Sequence, residues 1–180
     1  MAMKPIVDFI YRIATGERHI RRLFTPVFAA FFLFLIALAI FLALTVDTFL
    51  SLGPPLQYPW KYAVSLPLLV CGVFLWLWSA VHFAKAEGTP VPSSPPARLV
   101  DTGPYAYVRN PMLAGVFLML FAVAFIIGSS SLLFIFAPAF VCCSILEFKL
   151  IEEPELEKRL GERYLDYKRR TPILIPNIFP

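Results

Sequence analysis

Thirty-seven consecutive residues, Asn110 to Leu146, contain no Asp, Glu, Lys or Arg. A helix rises about 1.5 Å per residue and a bilayer core is ~30 Å thick, so ~20 apolar residues make one crossing. The run is too long for one crossing and just long enough for two short ones joined by a sharp turn. "IGSSS", Ile127 to Ser131, supplies that turn, with the chain reversing over Gly128 to Ser131.

Two further runs are long enough to cross singly. Residues 24–46 carry no charge, and residues 62–83 contain only His82, near the end. Overall 16% of the 180 residues are charged and 59% are hydrophobic, against about 25% charged in soluble domains. The predicted fold class is therefore all-α, a polytopic membrane protein with four transmembrane helices at 24–46, 62–83, 112–128 and 132–147. A chain of this length has no room for a separate soluble catalytic domain, so chemistry must be built from the helices and their flanks. The first run exceeds the apolar core of a signal peptide and lacks a small-residue cleavage site before Asp47, so it reads as a retained anchor.

Basic residues set the expected orientation. Lys4, Arg12, Arg18, Arg21 and Arg22 precede the first span, Lys85, Arg98 and Arg109 lie between the second and third, and seven more follow from Lys149 to Arg170. The first outer loop holds only Lys61. The positive-inside rule then puts both termini and the 84–111 connection in the cytoplasm. The net charge of +4 is thus explained by topology, with no appeal to nucleic acid.

Residues 1–23 read as an Arg-rich interfacial segment. Residues 84–111, "AEGTPVPSSPPARLVDTGPYAYVRNP" at their heart, hold so many prolines that the loop is irregular but restrained. From Glu152 onward Leu156, Leu160, Tyr164 and Tyr167 recur at helical spacing with charges between them, which predicts one amphipathic helix along the membrane surface. Pro154 suits its first turn, and Glu155 with Arg159 forms an i,i+4 pair. Pro138 is expected to kink the last span. Cys71, Cys142 and Cys143 lie at membrane depth without metal-ligand spacing and read as packing residues; His19 and His82 read as interfacial.

A tight hairpin has one further consequence. It returns the chain to its starting side, so Asn110–Pro111 and Glu147–Glu153 must lie near each other. Arg109, Asn110, loop amides and the carboxylates Glu152 and Glu153 therefore surround one interfacial pocket. Charge near lipid is costly unless it is partnered, which makes this pocket the candidate functional site.

"LVDTGPYAYVRNPMLAG" followed by "EEPELEKRLGERYLDYKRRTPILIP" resembles the integral-membrane superfamily of isoprenylcysteine carboxyl methyltransferases and phospholipid methyltransferases, over about residues 85 to 176. The resemblance implies S-adenosylmethionine as cofactor. By matching position it implies cofactor contacts from Leu99, Val100, Tyr105, Asn110, Pro111, Met112, Leu113 and Glu152, with Arg109 and Glu153 as candidate catalytic residues. Lys149 and Arg169 are the candidate substrate-binding cations. Asn110 replaces the family's His and cannot shuttle a proton, and Leu113 replaces a Tyr. The implied substrate is a lipophilic small molecule or lipid taken from the membrane, with no metal and no nucleic acid. A sterol-reductase-type enzyme using NADPH would share a similar helical core, but the chain lacks an Arg cluster or glycine fingerprint for phosphates. A small membrane scaffold is the non-catalytic alternative.

Overall fold

The computed structural model describes residues 4–86, 96 and 98–176. The described residues are helical, with elements α1 (Lys4–Ala14), α2 (Arg18–Leu50), α3 (Trp60–Lys85), a 3₁₀ turn (Gly103–Ala106), α4 (Pro111–Ile127), α5 (Ala137–Glu147), α6 (Glu153–Leu160) and α7 (Glu162–Arg170). Three helices are long and apolar enough to cross a membrane: Leu23–Leu50, Trp60–Lys85 and Leu132–Leu160. The fourth apolar helix, α4, has 17 residues and is ~25 Å long, short of a full hydrocarbon core.

The fourth segment differs from the sequence expectation. No break separates residues 132–147 from the tail; a single helical rod runs from Leu132 to Leu160, with π-helical turns at Leu132–Phe136 and Phe148–Glu152. Each π turn ends two residues before a proline, Pro138 and Pro154, both in the first turn of the α-helix that follows. Proline offers no N–H to the carbonyl four residues back and its ring crowds that carbonyl. A locally wider π turn accommodates this without ending the helix. The amphipathic tail helix is in turn split in two at Gly161, whose φ of 61° and ψ of −139° suit only glycine.

The α4–α5 reversal falls where the serines put it. Gly128 closes α4 in the left-handed conformation, and Leu132 N–H donates to Ser129 Oγ at 3.0 Å. Asp47, near the end of α2, accepts the Ser131 N–H at 2.8 Å and the Ser129 hydroxyl. A carboxylate from one helix thus caps the start of another, where the dipole favours negative charge. Ser130 Oγ donates to Gly53 O at 2.7 Å, which ties the 51–59 loop to the same turn.

Helices α3 and α4 cross at two glycines. A Cβ on Gly115 would stand 2.7 Å from Gly72 O, and one on Gly72 would stand 2.8 Å from Gly115 O. With no hydrophobic drive between helices in lipid, such close backbone approach is what holds them. Ala43, Leu120, Ala124, Leu132 and Ala137 form the buried cluster beyond this crossing, while Phe31, Phe34, Phe41 and Phe74 face outward. At the opposite end from the Ser turn, α1 packs Ile10, Ile13 and Ala14 inward. Its Asp8 holds Lys158 of α6 at 2.7 Å, and the same ammonium sits 4.2 Å over the Tyr11 ring.

Gly115→Ala should lower the unfolding midpoint in detergent by the equivalent of about 1–3 kcal/mol, the usual cost of overpacking. Gly53→Ala, with nothing within 4 Å of the added Cβ, should leave the midpoint unchanged.

Candidate functional site

The site is built where the start of α4 meets the α5–α6 junction and α7. Asn110 ends the loop by accepting the Leu113 N–H on Oδ1 at 3.2 Å, and Pro111 occupies the first helical turn. This is an N-cap, so the amide carbonyl in place of the family's imidazole is committed to starting α4. Pro111 and Met112 are buried beneath it, and Leu113 is half-buried.

Arg109 and Glu153 approach at 2.7 Å (Nη1–Oε1) with side chains only 8% and 4% exposed. Lys168 takes the other Glu153 oxygen at 2.6 Å and also reaches Glu157 at 2.8 Å. Three segments far apart in sequence therefore share one carboxylate. Burial alone would make the Lys168 ammonium easier to deprotonate, but the carboxylates of Glu153 and Glu157 outweigh it and hold its pKa above the ordinary lysine value of 10.5. One turn along, Arg159 pairs with Glu155 at 2.8 Å and donates from Nη1 to Pro96 O at 2.8 Å. The buried Glu155 corrects the expected tail pattern, in which its position belongs to a charged outer face of the helix, and Glu153 beside it is buried as well. Ion pairing with Arg109, Lys168 and Arg159 is what permits their burial.

Glu152 differs from its neighbour. Among the described residues it has no ion pair and no hydrogen bond, and the charges that reach it, Glu147 and Glu155, have its own sign. Pairing elsewhere in the cluster is complete: Arg109 and Lys168 with Glu153 and Glu157, Arg159 with Glu155. One half-buried carboxylate is left over. Nearby, Arg109 Nε and the Tyr164 hydroxyl are buried without a hydrogen-bond partner.

The tail is fastened to the loop through its backbone. Arg109 N–H donates to Pro172 O at 2.8 Å, Asn110 N–H to Ile173 O at 3.0 Å, and the Tyr167 hydroxyl to Tyr105 O at 2.7 Å. Arg170 reaches Asp101 at 3.2 Å. Tyr105 points inward: its ring lies 5.0 Å from that of Phe83 and the residue is 5% exposed. Burial pushes its hydroxyl well above the ordinary tyrosine pKa, with neighbouring Tyr167 adding to the shift. It acts as a peg between loop and α3, while Tyr107 is exposed. Gly103, at φ 62°, lies so close to the His82 ring that a Cβ would sit 2.1 Å from Nε2.

Of the residues singled out from sequence, Arg109, Asn110, Pro111, Met112, Leu113, Glu152 and Glu153 lie in or beside this cluster. Leu99 and Val100 are half-buried in the loop leading to it. Lys149 is exposed on the π turn. Arg169 turns away, 72% exposed and paired with Asp166 at 3.1 Å. The sequence reading missed Lys168 and the seat that His82 gives Gly103. A lysine one position after Tyr167, on the apolar stripe, was the available signal for the first. Among the described residues no group of His, Cys, Asp and Glu is arranged to hold a metal ion.

Removing one partner of the buried pair should cost about 3–5 kcal/mol, because a charge is left uncompensated. Glu153→Gln, which strands Arg109, should show that loss in detergent unfolding, and Arg109→Met should lose less because Lys168 still holds Glu153. The double variant Arg109→Met/Glu153→Leu should recover more than half of the Glu153→Gln loss. A raised lysine pKa contributes stability below the unfolded value of 10.5 that is lost as pH rises through the folded one. Lys168→Met should therefore be less stable than the parent at pH 8 and lose less as the pH is taken above 10.5. Melting curves across that range provide the check.

No curated protein and no solved structure matches the chain. A family model described as phospholipid methyltransferase matches residues 60–163, from the start of α3 into α7. That match takes in more than half of the chain, including Arg109, Glu152 and Glu153, and the protein belongs to the phospholipid methyltransferase family.

Proposed function

We propose that the chain transfers a methyl group from S-adenosylmethionine to a lipophilic or amphipathic acceptor at the cytoplasmic membrane interface. The observation that carries this reading is Glu152, a carboxylate without a cation among the described residues, beside the matched pairs of Arg109, Lys168 and Arg159. Glu147, five residues earlier, likewise has no cation among the described residues, and two acidic side chains without a counter-charge suit a ligand carrying a positively charged group. The orphaned Arg109 Nε and Tyr164 hydroxyl offer donors for that ligand's oxygens. S-adenosylmethionine, when bound, supplies an electrophilic methyl group on a positively charged sulfur.

The chain's own residues then have separable roles. Glu152 holds the cationic end of the cofactor. Leu99 and Val100 offer backbone groups, and Asn110 to Leu113 form the wall at the start of α4. Tyr105 sets the loop's height rather than presenting its ring face. Arg109 and Glu153 hold each other and so fix the spacing of loop and tail. Lys149 lies on the side from which an acceptor's anionic group would approach. Methyl transfer needs the acceptor aligned with the breaking bond, and alignment with water excluded can supply much of the rate without a covalent nucleophile. In this reading α4 is a fourth crossing and both termini are cytoplasmic, supported by the distribution of Lys and Arg along the chain.

Calorimetry with S-adenosylhomocysteine tests the assignment. The parent should bind it, and Glu152→Gln should weaken binding about tenfold or more while melting unchanged, as expected for the loss of one charge-assisted contact. Tight NADPH binding with no response to the homocysteine analogue would reject the reading.

A further inference from the structure

At the end of the bundle opposite Arg109, an open groove of about 500 Å³ is lined by Pro55, Leu56, Phe121, Phe125, Leu133 and Phe134. It is independent of the candidate site, because α4 separates the two by most of its 17 residues. We propose that this groove holds one acyl chain of an anionic phospholipid whose phosphate is bound by Lys61.

Three observations support this occupant. The groove wall is almost wholly apolar, and Phe121 and Phe125 are one helical turn apart, so it runs along the helix from the loop toward the membrane centre. Its mouth stands at headgroup depth: Tyr58 and Trp60 on the adjoining loop and helix start are 78% and 67% exposed, the placement of an interfacial aromatic belt. At that mouth Lys61 lies against α4, its Nζ 3.4 Å from the carbonyl of Ile126, next to Phe125. The ammonium has no acidic partner among the described residues, and Asp47 in the neighbouring turn spends both oxygens on Ser129 and Ser131. An ammonium has three donors; Nζ also lies 4.9 Å over the Tyr62 ring, and the long contact to Ile126 O together with that ring contact still leaves a donor for a phosphate. The wall itself is held open by the loop's fastening, Ser130 to Gly53 and Pro54 against Gly128.

Native mass spectrometry of the delipidated full chain in detergent, titrated with phosphatidylglycerol and phosphatidylcholine of matched chains, decides the matter. The parent should retain phosphatidylglycerol at about five- to tenfold lower concentration than phosphatidylcholine, the scale expected for one lysine at a membrane surface. Lys61→Gln should erase that preference. Leu133→Trp, and separately Leu56→Trp on the exposed loop, should remove the phosphatidylglycerol adduct with helix content unchanged by circular dichroism. Equal retention of the two lipids by the parent overturns the proposal. So does a preference that survives Lys61→Gln, or an adduct that survives both tryptophans.

Discussion

The rest of this structure depends on a buried carboxylate shared by two cations. Glu153 joins Arg109, just before the α4–α5 hairpin, to Lys168 on α7. Taken as a stability term, such a cluster returns little, since desolvating three charges offsets much of their attraction. Its effect is on register. A guanidinium buried beside a hydrocarbon interface has few places to go, and the one that satisfies it fixes how loop and tail meet. The backbone bonds from Arg109 and Asn110 to Pro172 and Ile173 then follow from that placement.

Such a clamp works only if the hairpin returns to the same level, and the other end of the bundle enforces this. Asp47 caps the Ser turn from α2, and the Gly72–Gly115 contact sets α4 against α3 with no room to slide. A helix of 17 residues is short for a bilayer, and that shortness has a use here. It brings Asn110 and the loop level with the α5–α6 junction of the longer Leu132–Leu160 rod, where Arg109 meets Glu153.

Much of this was legible in the sequence. An uncharged run too long for one crossing required a turn, glycine and serines located it, and the return path put Arg109 and the acidic pair together. Other features were settled by competition that a linear pattern does not show. Pro138 signals a kink and Pro154 a first helical turn, and each follows a π turn through which the helix continues. Glycine 161 looks tolerable inside an amphipathic helix, yet its positive φ divides α6 from α7. Glu155 reads as solvated until Arg159 and the loop carbonyl of Pro96 close over it. Tyr105 reads as a pocket residue, and the fold adds a packing contact for its ring, against Phe83 of α3. The prolines and Gly161 act through their own backbone, whereas Pro96 and Phe83, which meet Arg159 and Tyr105, are distant in sequence.

Adjacent carboxylates on a helix point about 100° apart, so Glu152 and Glu153 cannot serve the same partner. The register of the rod decides which of them meets Arg109, and the π turn over Phe148–Glu152 contributes to that register immediately before the pair. A π turn adds a residue to the backbone without lengthening the helix in proportion, which rotates everything after it relative to a regular α-helix. With the rotation, Glu153 faces the clamp and Glu152 stays unpaired beside it. A regular helix through Pro154 would place the two differently and exchange or abolish their roles. The same proline that requires the wider turn therefore sets which carboxylate is spent on holding the fold and which stays without a cation.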